Sequence, residues 1–370
     1  MKPTLKHSLL ALLLLAGGAR LAPAAADEPD HPQPLAADIV QAWEKAGAQS
    51  GWIGADEYGQ LEFRMGAGGG KKGELPAFRF LEAKWQVGAM NRLRPPPQAF
   101  RIAFFGVHVT DAMVKELAAL KNVQTLSLFY TSTTDAQLKE LAVMKDLRTL
   151  SLSATWVTDA GLREIGSLQS LQSLDLSCIP ITDGGLRKLA GLKGLKVLNL
   201  WGTQVTDAGV NDLVGLRTLQ SLNLSGTGLT DAGLANLSRA KNLQALNLGS
   251  TNITDAGLKE LPELKNLKSL DVNSTNVTDA GLRELAGVET LRSLDLGNED
   301  QFTDAGVKEL AVLKDLRSLN LDCTKVTDAG LNELAALKNL EALSLAGTID
   351  LTDTAVPALR QKLPKCKIER

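Results

Sequence analysis

The chain has little excess charge, few aromatic residues and few histidines. Its formal net charge is −2 with a pI near 6.0, so it lacks the basic surface that nucleic-acid binding requires. Aromatic residues make up only 4% of the chain, which makes each exposed one a notable feature. No serine or cysteine has a recognisable base near it in the sequence, and no metal-ligand spacing is present. We therefore expect no enzyme activity, no cofactor and no metal.

Long apolar runs are also lacking, apart from one near the N-terminus. A positively charged start precedes the apolar stretch 9–19, which Arg20 ends and which is too short for a membrane span. This pattern predicts a bacterial signal peptide over residues 1–26, cleaved after Ala26 or after Ala19, with an uncleaved anchor as the alternative. We expect export to the periplasm, the cell envelope or the medium.

The dominant feature of the chain is a repeat of 24 residues, lengthened to 25 on two occasions. In a typical unit, residues 198–200 alternate as a short strand, Thr206 is suited to cap the following helix, and Asp207 lies in its first turn. Apolar residues then recur at helical spacing. The Thr-Asp pair occurs eleven times, with its threonine at positions 110, 134, 158, 182, 206, 230, 254, 278, 303, 327 and 352.

This period predicts the fold class. One unit buries too few side chains to offset the entropy of ordering its backbone, so the units are expected to stack. A period of about 20–29 residues with leucines at fixed offsets indicates an α/β leucine-rich-repeat solenoid. Its strands would form one parallel sheet on a concave face, with the helices on the convex face. At ~4.8 Å between strands, the array would be ~50 Å long.

The unit resembles the cysteine-containing subtype of leucine-rich repeats, with the TDAGL motif. The resemblance rests on segments such as 243–248, Leu-Gln-Ala-Leu-Asn-Leu, and 253–258, Ile-Thr-Asp-Ala-Gly-Leu, and it covers residues 100–370. The subtype occurs in exported repeat proteins of bacteria and in F-box-type ubiquitin-ligase adaptors, but no F-box-like module precedes this array. Threonine stands where the subtype has cysteine, and we expect a buried ladder of these hydroxyls: Thr131, Thr155, Thr203, Thr227, Thr251, Thr275 and Thr324.

The three cysteines are not expected to form disulfides. Cys178 and Cys323 occupy the same slot six repeats apart, which corresponds to roughly 30 Å at the usual strand spacing. A disulfide requires Cα atoms within about 7 Å of each other. Together with Cys366, they are predicted to be unpaired thiols.

The regions that flank the repeats have their own patterns. Residues 27–34 are polar and proline-rich, which is typical of a linker, and residues 35–99 are expected to form an N-terminal cap, with a small independent domain as the alternative. A strand near 366–368 would close the other end. The glycine-rich stretch 66–73 matches a dinucleotide fingerprint, but no helix pattern follows, so we interpret it as a surface loop.

The concave face offers candidate binding residues, because strand positions between the buried leucines point to solvent. Exposed aromatics in an aromatic-poor chain indicate a contact surface, and an acidic stripe in the C-terminal half favours a basic partner. The alternatives are that the cap folds over Phe105 and Phe129 and that the acidic residues only keep the face soluble. The predicted partner-binding residues are Phe129, Tyr130, Trp156, Trp201, Asp175, Asn199, Asn223, Asp271, Asp295 and Asp322.

These patterns favour a non-enzymatic, exported bacterial protein that binds a protein or peptide through its concave face. An envelope glycan-binding module is one alternative, since Trp, Asn and Asp also suit sugar faces. A ubiquitin-ligase-type substrate adaptor resembling F-box repeat proteins is another, although the signal peptide argues against it. We expect a monomer without a membrane span and without a nucleic-acid partner.

Overall fold

The computed structural model describes residues 32–66, 69–81, 88–298 and 301–370 of the chain. The predicted signal peptide at 1–26, most of the predicted linker and part of the glycine-rich stretch lie outside these ranges.

The described strands form one continuous sheet in the order β15-β14-β13-β12-β11-β10-β9-β8-β7-β6-β5-β4-β3-β1-β2. From β3 onward each strand is parallel to the next, whereas β1 is antiparallel to both β3 and β2. The parallel solenoid sheet is thus confirmed, and β15 pairs with β14 at its far end. The strands are β1 Gln49–Ala55, β2 Leu61–Met65, β3 Leu75–Leu81, β4 Phe100–Phe105, β5 Val123–Ser127, β6 Thr149–Ser151, β7 Ser173–Asp175, β8 Val197–Asn199, β9 Ser221–Asn223, β10 Ala245–Asn247, β11 Ser269–Asp271, β12 Ser293–Asp295, β13 Ser318–Asn320, β14 Ala342–Ser344 and β15 Lys367–Glu369.

A short helix follows each strand from β4 to β14, and most of these helices begin at the aspartate of the Thr-Asp pair. Thr206, in extended backbone, accepts a hydrogen bond from Ala208 N at 3.4 Å, as the predicted N-cap should. The helices are α1 Ala37–Lys45, α2 Asp111–Ala118, α3 Asp135–Leu141, α4 Leu162–Ile165, α5 Asp183–Leu186, α6 Asp207–Leu213, α7 Asp231–Leu237, α8 Asp255–Leu258, α9 Asp279–Leu285, α10 Asp304–Glu309, α11 Asp328–Glu333 and α12 Ala355–Lys362.

The aspartates of nine Thr-Asp pairs also join neighbouring repeats. Asp183 Oδ1 accepts from the backbone N of Thr206 at 2.8 Å, and its Oδ2 accepts from the Thr206 hydroxyl at 2.7 Å. A favourable helix dipole, the only role that the sequence suggested, is therefore an incomplete explanation. The same pair of bonds links Asp135–Thr158, Asp159–Thr182, Asp207–Thr230, Asp231–Thr254, Asp255–Thr278, Asp279–Thr303, Asp304–Thr327 and Asp328–Thr352.

This bond explains the glycine of the TDAGL motif. A Cβ atom on Gly209 would lie 2.4 Å from Asp183 Oδ1, so only glycine lets the carboxylate approach. In the second repeat Gln137 replaces the glycine and takes over part of the bonding. Its amide donates to Asp111 Oδ1 at 2.9 Å, and its Oε1 accepts from the backbone N of Thr134 at 3.1 Å.

Where a threonine stands three positions before a Thr-Asp pair, it closes a turn within its own repeat. The Thr203 hydroxyl donates to Leu200 O at 2.7 Å, and the residue before it, Gly202, has a φ of +65°. The predicted contact with backbone groups is confirmed, but these bonds do not run from repeat to repeat as a ladder. The backbones of Cys178 and Cys323 are left-handed, with φ of 57° and 54°. All three cysteines are free.

The N-terminal elements share one hydrophobic core with the repeats. Trp43 of α1 stacks on Phe78 of β3 with ring centroids 4.3 Å apart, and Phe80 stacks on Phe104 of β4 at 5.1 Å. Buried Glu116 of α2 accepts from the backbone N of Gly88 and of Met90. The apolar core then continues without interruption to Ile368 at the other end.

Candidate functional site

We call the sheet face that points away from the helices the concave face. Its polar residues make the same hydrogen bond at the ends of their strands. Asn199 Oδ1 accepts from the backbone N of Trp201 at 3.0 Å, and Asp271 Oδ1 accepts from the backbone N of Asn273 at 2.9 Å. Asn223, Asn247, Asp295 and Asn320 accept in the same manner from the residue two positions on. Asn and Asp at these positions therefore have a structural role in addition to any binding role.

The tip of the β1–β2 hairpin, residues 56–60 and here called the hairpin tip, lies across this face. The Ser221 hydroxyl donates to Glu57 O at 2.5 Å, and the Ser269 hydroxyl donates to Glu57 Oε1 at 3.4 Å. A Cβ atom on Gly59, whose φ is +80°, would lie 2.6 Å from Ser173 Oγ. The hairpin tip thus contacts strands from β7 to β11.

The hairpin tip changes the environment of three predicted site residues. Asp175, Asn199 and Asn223 are only 6%, 0% and 4% exposed, so the prediction that they point to solvent is wrong. The physical reasons are the hairpin above them and their own strand-ending bonds. Further along the sheet, Asp271, Asp295 and Asp322 are half-buried.

Burial shifts the titration of these aspartates. Burial, followed by the charge of Asp295, raises the pKa of Asp271 to about 7. Burial also raises the pKa of Asp295 and that of Asp175. Lateral bonds from Asn247 to Asp271 at 2.8 Å and from Asn320 to Asp295 at 3.0 Å offset only part of this effect.

The aromatic candidates lie at the C-terminal ends of their strands or in the turns that follow. Phe105 and Phe129 have ring centroids 5.3 Å apart, and Tyr130 lies 6.4 Å from Phe129. Tyr130 is 42% exposed and Trp156 is 68% exposed, whereas Trp201 is half-buried and lies three strands beyond Phe129, ~14 Å away. We call Phe105, Phe129, Tyr130 and Trp156 the aromatic patch.

One alternative was that the N-terminal region folds over Phe105 and Phe129. Ile53 and Ala77 pack with Ala103 on the concave side, together with Leu61 and Phe63, so the hairpin lies over β4 near Ala103. Phe105 and Phe129 stay half-buried.

The position of the hairpin tip on the concave face is the feature that sequence reasoning missed. The turn of the hairpin tip includes Tyr58 and Gly59, and Asp56 Oδ1 closes it by accepting from the backbone N of Tyr58 and of Gln60, each at 2.9 Å. No local signal tells where such a hairpin docks, because its partner Ser269 is 212 residues further along the chain.

The site shows no feature of metal or membrane chemistry in the parts of the chain that the structure describes. Across residues 32–66, 69–81, 88–298 and 301–370, no group of three or more His, Cys, Asp and Glu side chains is arranged to hold a metal ion. Within the same ranges, every helix is too short or too polar to span a membrane.

Fold and site together define a class, an open solenoid of strand–helix repeats with a partly covered concave face. The chain belongs to the leucine-rich-repeat family: the family model described as "Leucine-rich repeat region" matches residues 182–369, and "Leucine Rich repeat" matches residues 167–190. A comparison with curated proteins gave no match.

Solved structures are similar to this chain in fold. An internalin (inlF) from Listeria monocytogenes aligns with a TM-score of 0.54 at 21% identity, over 79% of this chain and 86% of that one. An internalin C2 (inlC2) from the same organism aligns with a TM-score of 0.44 at 30% identity, over 58% of this chain and 84% of that one. The first alignment supports the solenoid architecture.

Proposed function

We propose that this protein is a non-enzymatic binding module of an exported bacterial protein, and that it binds a protein or peptide through the aromatic patch. The observation that carries this proposal is the clustering of Phe105, Phe129 and Tyr130 beside open surface, in a chain with only 4% aromatic residues. Large exposed aromatics contribute much of the energy of protein interfaces.

The other predicted residues have different parts in this proposal. Trp201 extends the aromatic patch along the strand ends, and the half-buried Asp271, Asp295 and Asp322 set the register of the ligand. Asp175, Asn199 and Asn223 become available only when the hairpin tip moves. The repeats are of the TDAGL type, and residues 35–99 serve as the cap that covers the first repeat.

The test is affinity capture from an envelope extract of the source bacterium, with the chain from Asp27 onward as bait. Beside it we would use the variant Phe129→Ser/Tyr130→Ser/Trp156→Ser/Trp201→Ser. A matched control, Val143→Ser/Val312→Ser/Ile349→Ser, removes apolar side chains that are 62%, 54% and 85% exposed elsewhere on the surface. Circular dichroism would check that all three proteins fold alike.

We expect one protein to be retained by the native bait and by the control variant. Its captured amount should fall at least tenfold with the aromatic variant. Equal capture by all three baits would contradict a role for the aromatic patch.

Trp156, at 68% exposed, also favours glycan binding as a second candidate function, since an open indole ring can stack on a sugar. A glycan screen with the same baits tests it, and binding by stacking should be insensitive to salt. The F-box-like adaptor has no structural observation in its favour.

A further inference from the structure

The docked hairpin tip is held to the sheet by hydrogen bonds and by the burial of Gly59 and of the Tyr58 phenol. Its side-chain hydrogen bonds to the sheet come from the hydroxyls of Ser221 and Ser269. Two buried polar atoms under it, Ser173 Oγ and Asn199 Nδ2, have no hydrogen-bond partner among the described residues. Each such atom costs roughly 1–3 kcal/mol, so these two atoms lower the stability of the docked state.

The groups that face each other across this contact carry charge of the same sign. The hairpin brings Asp56, Glu57 and Glu62, β7 brings Asp175, and β11 brings Asp271, with Asp295 beyond it on β12. Strands β8, β9 and β10 carry no charged residue of their own.

Two lysines flank the contacted strands. Lys196 immediately precedes β8, and Lys268 immediately precedes β11, where its ammonium group donates to Gln244 Oε1 at 3.0 Å. The environment of Asp56, Glu57 and Tyr58 is set first by burial, and then by hydrogen bonds and by other acidic groups.

We propose that the hairpin tip is a pH-dependent latch on the concave face, docked when its facing carboxyl groups are protonated and released when they ionise. Release uncovers Asp175, Asn199 and Asn223, so the latch controls access to the middle of the sheet. The proposal concerns the hairpin alone and does not require the aromatic patch to bind a partner.

The direction of the effect follows from linkage. Burial raises the pKa of Glu57 to about 7, the bond from Ser269 lowers it by less, and Asp56 adds to the rise. A released Glu57 returns to its ordinary pKa of 4.5. The docked state therefore binds the proton more tightly, and docking is favoured below pH 4.5 and lost progressively up to pH ~7. The difference between the pKa of about 7 in the docked state and 4.5 in the released state corresponds to a change of about 300-fold in the docking equilibrium constant.

Tyr58 is a suitable reporter of docking. The chain has only two tyrosines, so tyrosine labelled with ¹³C at Cε gives resonances from Tyr58 and Tyr130 alone, and Tyr130→Phe assigns them. Burial, followed by the charges of Glu57 and Asp271, raises the pKa of the Tyr58 phenol well above its usual value. Its own ionisation therefore does not interfere between pH 5 and pH 8.5.

The experiment records this resonance in the full-length chain from pH 5 to pH 8.5. We expect the Tyr58 signal to move from a docked to a solvent-like position as the pH rises, with its midpoint near or below 7. Glu57→Gln should keep Tyr58 docked to higher pH, because a neutral amide can still bond to Ser269. The control Glu140→Gln, on the exposed surface of α3, should titrate like the native chain.

Two outcomes would overturn the latch. One is a Tyr58 resonance that does not change over the whole pH range, and the other is a Glu57→Gln titration identical to that of Glu140→Gln. A second variant, Asp271→Asn, protects the test against a folding defect in Glu57→Gln, since Asn can still accept from Asn273 N. It should also extend docking to higher pH, and circular dichroism at each pH separates release of the hairpin from unfolding.

Discussion

The residues of the five-residue motif Thr-Asp-Ala-Gly-Leu form the contacts between neighbouring repeats. Threonine caps its own helix and donates to the aspartate of the repeat before, while leucine enters the core. Glycine is required because the carboxylate of the preceding repeat lies where a Cβ would be. Where Gln137 replaces glycine, its amide joins the aspartate instead, so the contact tolerates a second solution.

Gly209→Ala should therefore destabilise the protein. The added methyl group would lie 2.4 Å from Asp183 Oδ1, so α6 and the repeat before it must separate. We expect a loss of about 2 kcal/mol in the free energy of unfolding, measured by urea denaturation. Gly215→Ala is the matched control, because its Cβ would be 3.5 Å from the nearest atom, Asp212 O. Equal stability of the two variants would contradict this account of the motif.

The N-terminal elements close the exposed end of the array. Helix α1 and strand β3 bring Trp43, Phe78 and Phe80 onto the aromatic side chains of β4, so the first repeat does not present its core to water. Trp43 Nε1 donates to Arg94 O at 3.1 Å, which satisfies the polar atom of a fully buried ring.

Trp43→Ala should be among the most destabilising single changes in this region. It removes a side chain that is 0% exposed from the junction of α1, β3 and β4, and we expect a loss of about 4 kcal/mol. Trp156→Ala, at a ring that is 68% exposed, should change stability by less than ~0.5 kcal/mol. Thermal unfolding of both variants gives the comparison, and a small effect of Trp43→Ala would mean that the N-terminal elements add little to the stability of the array.

The whole molecule is a sheet whose first hairpin returns to its middle strands. Glu57 contacts Ser221 and Ser269, which are 164 and 212 residues away in the chain. This arrangement buries carboxyl groups on both sides of one contact, so it couples the stability of the whole molecule to pH.

The protein should be more stable at pH 5.5 than at pH 8. The pKa values of Glu57 and Asp271 are both raised to about 7, so the folded state binds more protons than the unfolded state. Their stabilising contribution is complete below their ordinary values and is lost as the pH rises through about 7. Urea midpoints at the two pH values test this.

The variant Glu57→Gln/Asp271→Asn should flatten this pH dependence, whereas Glu140→Gln should preserve it. Glu74, whose pKa is lowered from 4.5 by Arg64, contributes almost nothing to this comparison, because it is ionised in both states from pH 5.5 to pH 8. A native chain that becomes more stable from pH 5.5 to pH 8 would contradict the prediction.

The sequence alone determined the repeat, the parallel sheet, the threonine caps and the unpaired cysteines, because each follows from periodicity and short-range contacts. The alternation of Leu61, Phe63 and Met65 and the turn before it at Tyr58-Gly59 are likewise local features, and they form β2 and the hairpin tip. Only the tertiary structure decided that this turn lies on the concave face and that Asn199 is buried. A period fixes neighbours one repeat apart, whereas a contact over 164 residues depends on the path of the whole sheet.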